Sequence, residues 1–97
     1  MPTYVSLINW TEQGLKNVKQ STNRAKAFRD MAEKLKVKVR EIHWTMGRYD
    51  VVVVMEAMDD RAVSRLMLGL AALGNVRTET LKACSAEEMS QILDGIP

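Results

Sequence analysis

Hydrophobic and polar residues alternate with two different periods along this chain, and the changes of period divide it into elements. Tyr4-Val5-Ser6-Leu7-Ile8-Asn9-Trp10 is short and β-prone, which predicts a first strand. A polar connection runs from Thr11 to Gln20, with room for a helical turn through Leu15 and Val18. Ser21, Thr22 and Asn23 cluster as helix-start residues. Ala25, Phe28, Met31, Ala32 and Leu35 then recur at spacings of three and four, the signature of one buried helix face. Val37 to Thr45 predicts a second strand, Gly47 a turn, and Tyr49 to Met55 a third strand. Strands joined this closely pair antiparallel. Asp59 and Asp60 start a second helix, where an acid satisfies free amides and favours the dipole. Its apolar stripe is Val63, Leu66, Met67, Leu70 and Leu73. Gly69 within it costs about 1 kcal/mol against Ala and signals close packing. Gly74-Asn75 ends that helix, and Val76 to Ala83 predicts a fourth strand. Ser85-Ala86-Glu87-Glu88 is a capping box opening a last helix, with Met89, Ile92, Leu93 and Ile96 on its apolar side.

The order βαββαβ plus a C-terminal helix predicts an α+β, ferredoxin-like fold with two helices on one face of a four-stranded antiparallel sheet. The other face then reads polar if it meets water. Strand three contradicts that, because Val51, Val53 and Met55 point one way and Val52 and Val54 the other. In strand one, Tyr4, Ser6, Ile8 and Trp10 oppose Val5 and Leu7. In strand two, Ile42, Trp44 and Met46 are expected to oppose Val39, Glu41 and His43, so neither face is clean. Each Val or Ile left exposed forgoes roughly 1.5–3 kcal/mol of burial. A second sheet packed about 10 Å away removes that loss, and a two-fold homodimer supplies one. The alternative is that the terminal helix folds over the open face.

Composition narrows the classes. The 97 residues make one expected domain, 1–97. The formal net charge is only +2. The densest basic stretch, Lys34 to Arg40, falls where a helix ends, and cations there complement the helix dipole. No aromatic residue interleaves it, so no nucleic-acid partner is expected. No apolar run approaches the roughly 18 residues that span a bilayer, so no membrane partner is expected. The first residues enter the alternating pattern directly, without the basic start and apolar stretch of a secretory leader. Cys84 has no partner in the chain, which fits a reducing cytoplasm. His43 is the only histidine and cannot by itself build a zinc site, so neither a metal nor a cofactor is expected.

Met1-Pro2-Thr3-Tyr4-Val5, Trp10-Thr11-Glu12-Gln13-Gly14, Trp44-Thr45-Met46-Gly47-Arg48-Tyr49-Asp50 and Gly74-Asn75-Val76-Arg77-Thr78-Glu79-Thr80-Leu81 together resemble the GYD-domain family of small bacterial proteins. Gly47, Tyr49 and Asp50 carry the naming motif, and Val51 follows where the family often has a small residue. The resemblance covers nearly the whole chain and implies the dimeric α/β-barrel form of the ferredoxin-like fold. It brings no settled biochemical activity.

Each chemistry-bearing residue has a structural and a functional reading. Gly47, Tyr49 and Asp50 suit a hairpin that needs a special backbone conformation and acceptors for turn amides. They also suit the rim of a cavity. Asp50, Val52, Val54 and Glu56 share one strand face, and the two carboxylates stand about 20 Å apart, too far to act as an acid/base pair. Either can instead meet Arg48, Arg77 or Lys82. His43 is an ordinary strand histidine, a general base or an axial haem ligand. Cys84 is a small hydrophobe or a thiol activated by the adjoining helix. Arg77 and Glu79 share a face as edge charges or as an anion site. Two functions follow as expectations. The first is a homo-oligomeric module binding a small molecule in a cavity bordered by His43, Trp44, Tyr49, Asp50 and Arg77. The second is a cofactor-independent, monooxygenase- or isomerase-like enzyme on a small aromatic or quinol-type substrate, with His43 or Asp50 as base and Tyr49 as donor. A cavity above about 300 Å³ with two of those polar groups converging on it favours either.

Overall fold

The structure is a computed structural model describing residues 1–97. Its elements are β1 (Thr3–Trp10), α1 (Glu12–Lys16), a 3-10 turn (Val18–Gln20), α2 (Ser21–Lys34), β2 (Lys38–Trp44), β3 (Val51–Glu56), α3 (Asp60–Ala72), β4 (Val76–Ala83) and α4 (Ala86–Asp94). The strands form one antiparallel sheet in the order β2-β3-β1-β4. The chain therefore has the expected ferredoxin-like architecture with a C-terminal helix.

The register assigns every strand residue to a face. Tyr4, Ser6 and Ile8 of β1 and Val51, Val53 and Met55 of β3 lie under the helices and are buried. Phe28 and Ala32 of α2 and Val63, Leu66 and Met67 of α3 close the core above them. Ser6, the one buried polar side chain, meets Thr80 Oγ1 at 3.1 Å across the β1–β4 ladder. Gly69 is where the two helices come closest: a Cβ there would stand 3.2 Å from Met31 Sδ of α2.

Local signals placed most boundaries. Asp59 accepts from the Ala62 amide at 3.0 Å and caps α3. Ser85 and Glu88 form the full capping box of α4. The start of α2 differs: Ser21 lies inside the helix, and no side chain caps it. The hydroxyl of Ser21 serves instead as acceptor for Trp44 Nε1 at 2.7 Å.

Strand two departs from simple alternation. A bulge at Arg40 makes Val39 pair with Met55 while Glu41 pairs with Val54. Val39 thus joins Ile42 and Trp44 on the helix side, and Glu41 and His43 turn to the other. Met46, expected beside Trp44, lies beyond the strand and is fully exposed. The extra residue carries Arg40 onto Glu56 in a two-pronged ion pair at 3.0 Å. The helix face is consequently cleaner than expected. The third strand also starts at Val51, because Tyr49 and Asp50 are held in the loop. Thr45 Oγ1 donates to the Tyr49 carbonyl at 2.6 Å and the Thr45 amide to the Asp50 carbonyl at 2.8 Å.

The opposite sheet face carries Val5, Leu7, Val52, Val54 and Leu81, and none of the five is buried. Helix α4 does not cover it. No residue of α4 is buried, and the molecule extends over 52 × 31 × 18 Å. Its radius of gyration, 14.7 Å, exceeds the roughly 13 Å of a compact chain of this length.

Candidate functional site

A cavity between helices and sheet and the open sheet face are the features nearest the expected site residues. The cavity holds about 120 Å³. Thirteen of its sixteen lining residues are hydrophobic, with Trp10, Phe28, Met31, Ile42, Trp44 and Leu70 among them. Ser21, Arg24 and Asn75 are the polar ones. Arg24 is already engaged, its guanidinium donating to the Asn17 carbonyl at 2.9 Å and to the Gly14 carbonyl at 3.3 Å. Ser21 still has its own hydroxyl proton to donate. The chamber wall is thus almost wholly apolar, with one free hydroxyl proton on it.

The five residues expected to border one cavity are not brought together. Trp44 alone lines the chamber. His43 stands on the open face in register with Val52, its Nε2 3.2 Å from Glu41 Oε1. Tyr49 donates its hydroxyl to Glu79 Oε1 at 3.2 Å, with the Arg48 guanidinium 5.8 Å from its ring centre. Arg77 sits opposite Asn9 on β4. With Lys38, Arg40 and Glu56, these side chains make a charged rim along β2 and at the strand ends, while Leu81 lies on the edge strand β4. Within that rim, the Arg40 guanidinium beside Glu56 holds the Glu56 carboxyl below the usual range, and Glu56 raises Arg40 in turn. Arg48, Arg77 and Lys82, weighed as partners for Asp50 or Glu56, pair with neither.

Asp50 has a local task. Strand β1 runs two residues past its last partner on β3, the pair Ile8 and Val51. The Asp50 carboxylate fills that gap, accepting from the Trp10 amide at 3.0 Å and from Asn9 Nδ2 at 3.4 Å. Asn9 Nδ2 also donates to the Arg48 carbonyl at 2.8 Å. Gly47 supplies the turn with φ +113°. A second clamp ties two other motif segments together. Thr11 donates its hydroxyl to the Gly74 carbonyl at 2.6 Å and its amide to the Asn75 carbonyl at 3.0 Å. Gln13 Nε2 reaches the Leu73 carbonyl and Asn75 Oδ1. Gly14 is required by contact, since a Cβ would fall on the Asn75 carbonyl oxygen.

One cluster escaped sequence reading. The Tyr4 hydroxyl donates to Asp60 Oδ1, and Lys82 Nζ lies 3.2 Å from the same atom. The hydrogen bond to Asp60, then burial and the acid's charge, push the Tyr4 phenol up to about 12. Bonds from Tyr4 and Lys82 hold Asp60 below the usual carboxylate range. The three residues stand at one end of a groove of about 440 Å³ between α3 and β4. A tyrosine held so firmly protonated cannot serve as a base near neutrality. No local pattern signals it, since Tyr4 and Lys82 meet only through the β1–β4 register. No group of three His, Cys, Asp or Glu side chains in the molecule is placed to hold a metal ion.

The segments clamped in these two places include three of the four that resembled the GYD pattern, and the GYD domain model matches residues 4–93. The chain belongs to the GYD-domain family. Among curated relatives, it is 34% identical over 90 residues to the Thermus thermophilus protein called glutamine synthetase and cystathionine beta-lyase binding protein. That alignment covers 92% of this chain and 95% of the relative. Among solved structures, TTHA0845 from Thermus thermophilus aligns over 89% of this chain and 96% of its own, with 28% identity and a TM-score of 0.57. A feast or famine regulatory protein from M. tuberculosis, complexed with L-methionine, aligns over 89% of this chain and 52% of its own. Its identity is 14% and its TM-score 0.57, which is a likeness of fold. In this member of the GYD family, the naming motif builds a hairpin lock. No helix is long and apolar enough to cross a membrane.

Proposed function

We propose that this chain is a non-catalytic binding module that works as a homodimer, two copies packing open sheet face on open sheet face, and that the dimer docks on other proteins. The observation that carries the reading is the uncovered face: Val5, Leu7, Val52, Val54 and Leu81, bordered by charged side chains on β2 and at the strand ends, with no element of the chain over them. Apolar centre and polar rim is the anatomy of a protein interface. The name of the T. thermophilus relative supports a protein-docking role, and nearly the full length of both chains is aligned. A reducing cytoplasm suits the exposed free thiol of Cys84.

A second reading keeps the small molecule. The 120 Å³ chamber is smaller than the roughly 300 Å³ expected of a binding cavity, and only Trp44 of the five expected residues lines it, so it supports only a compact apolar ligand packing on Trp10, Trp44 and Phe28. It would occupy the space between helices and sheet within each copy. Native mass spectrometry of the purified protein tests it through a discrete mass excess per subunit. The catalytic alternative draws no support from the geometry, because neither His43 nor Asp50 lines the chamber.

Docking is tested by immobilising the purified chain and passing purified glutamine synthetase and cystathionine β-lyase of the same organism over it. Saturable binding of at least one enzyme at micromolar concentration is expected. Absence of binding by both at about 100 µM would overturn the docking role.

A further inference from the structure

The two edges of the sheet differ. On β2 the bulge at Arg40 interrupts the regular run, and Lys38, Arg40 and Glu41 crowd it with charge. Bulges and charges protect an edge from adding a further strand. Strand β4, the other edge, runs for eight residues without a proline and pairs with β1 without a register shift.

Hydrogen bonds fix which backbone groups of β4 face outward. The Thr11 amide donates to the Asn75 carbonyl at 3.0 Å, one step beyond the pair Trp10 and Val76. In an antiparallel ladder only alternate opposed pairs exchange bonds. The bonded pairs are therefore Asn9 with Arg77, Leu7 with Glu79 and Val5 with Leu81. The other side of β1 agrees. There the Ala57 amide donates to the Pro2 carbonyl at 3.2 Å, so Tyr4, Ser6 and Ile8 bond to β3 and leave Val5, Leu7 and Asn9 for β4. Val76, Thr78, Thr80 and Lys82 consequently turn their N–H and C=O groups to the free edge, where no backbone group of the chain meets them. Thr78 and Thr80 also line the groove beside α3, and Thr80 is exposed.

Geometry and charge together select what fits this edge. An added antiparallel strand must bring its own outward groups opposite these. For a second β4 related by a two-fold axis, an even-numbered residue then opposes an even-numbered one, so the axis passes through a residue. Centring it on Arg77, Glu79 or Lys82 sets that charge against itself, which is destabilising. Centring it on Thr78 sets Arg77 of each copy opposite Glu79 of the other. No other centre on the strand pairs opposite charges. Both residues are exposed, and neither takes part in an ion pair within the chain.

We propose that β4 is a self-association edge, on which the β4 strands of two copies pair antiparallel about an axis through Thr78. The overlap runs from Val76 to Thr80. It makes about six backbone hydrogen bonds, since each bonded pair exchanges two, and it puts Arg77 and Glu79 at the closer, non-bonded positions. Both open faces then lie on the same side of one continuous sheet. The edge contact therefore coexists with the sheet-face dimer and does not rest on it. An overlap of about five residues falls well below the roughly 800 Å² per partner of a stable interface. The edge is the weaker contact and joins sheet-face dimers into four-chain particles only at high protein concentration, about 1 mM.

The test is disulfide trapping in full-length protein at that concentration, with Cys84→Ser in every copy. Opposed residues of a bonded pair have Cα atoms about 5.5 Å apart, within disulfide range. Thr78→Cys is expected to oxidise to a covalent two-chain species. Thr80→Cys, whose two copies stand about 13 Å apart in this register, is expected to stay reduced. Bridging at Thr80 in preference to Thr78 would overturn the register, and bridging at neither would overturn the edge contact. The Thr78 bridge should survive addition of Val54→Asp. Its loss there would place it in the sheet-face contact and overturn the proposal. A wild-type chain that is monomeric at about 50 µM but bridges at Thr78 would remove the sheet-face dimer and leave the edge standing. As a second measurement, sedimentation at about 1 mM should show Arg77→Glu weakening edge association about tenfold. Adding Glu79→Arg to the same chain should recover most of that loss, and failure to recover it overturns the proposed pairing.

Discussion

Replacing Asp50 by alanine tests whether the naming motif of this family member is a structural lock. The carboxylate is half-buried and accepts from the Trp10 amide at 3.0 Å and from Asn9 Nδ2 at 3.4 Å. The first is a hydrogen bond to a charged acceptor of good length, which contributes about 1.5–3 kcal/mol. The second is long and adds a few tenths. The Trp10 amide has no neighbouring β3 residue to turn to, because the β1–β3 ladder ends at Ile8 and Val51. Its N–H is left without an acceptor when the carboxylate goes. The expected loss is about 2–3 kcal/mol. For a chain of this size each kcal/mol shifts Tm by roughly 4–8 °C, so Asp50→Ala should melt about 10–20 °C lower. Asp50→Asn keeps an acceptor without the charge and should lose about half as much. His43→Ala, in the rim of the open face, should stay within about 0.5 kcal/mol, as contacts outside an interface centre usually do. The assay is thermal unfolding followed by circular dichroism, with all variants at one protein concentration, since the Tm of an oligomer varies with concentration. An Asp50→Ala variant melting within about 3 °C of wild type would refute the lock.

Gly14→Ala forces a Cβ onto the Asn75 carbonyl oxygen and parts the Thr11–Asn75 clamp. It should cost at least about 2 kcal/mol by urea unfolding, the scale of an overpacked buried site. Tyr4 should half-ionise at about 12 in an ultraviolet pH titration, and Tyr4→Phe should remove that step. The unfolded phenol ionises near 10, so the unfolded state loses its proton first, and stability should fall between about pH 10 and pH 12. Asp60 has the opposite sign. Its depressed pKa gives a contribution present above the unfolded carboxylate value and lost as pH falls through the folded one, so Asp60→Asn should flatten the acid side of the stability profile.

What the sequence revealed followed the range of the forces involved. Caps and helix stripes are local, and Asp59, Ser85 and the Val63–Leu70 stripe could be read within a few residues of themselves. The two-sided strand β3 was legible for the same reason, because alternation of Val51 to Val54 needs no partner to be seen. The bulge at Arg40 was not legible, since it depends on Glu56, sixteen residues away on another strand. The Tyr4–Asp60–Lys82 cluster joins three elements through a contact 56 residues apart in sequence. The residues expected at one cavity border are spread apart for a plainer reason. His43 follows alternation onto the face opposite Trp44, Arg77 lies across from Asn9 on β4, and Tyr49 leaves the strand for the hairpin loop. Ser21 read as a cap because its type fits one. It bonds Trp44 instead, which only the packing of α2 on β2 could reveal.

The central claim is that the open sheet face is covered by a second copy. Sedimentation equilibrium of the wild-type chain and of Val54→Asp at about 50 µM tests it most directly. The chain has a mass of 11.0 kDa. The account predicts a wild-type particle of twice that mass and a folded, monomeric Val54→Asp variant, because a charge at the centre of the face would be buried without a partner. A wild-type chain that sediments as a monomer at this concentration would contradict it.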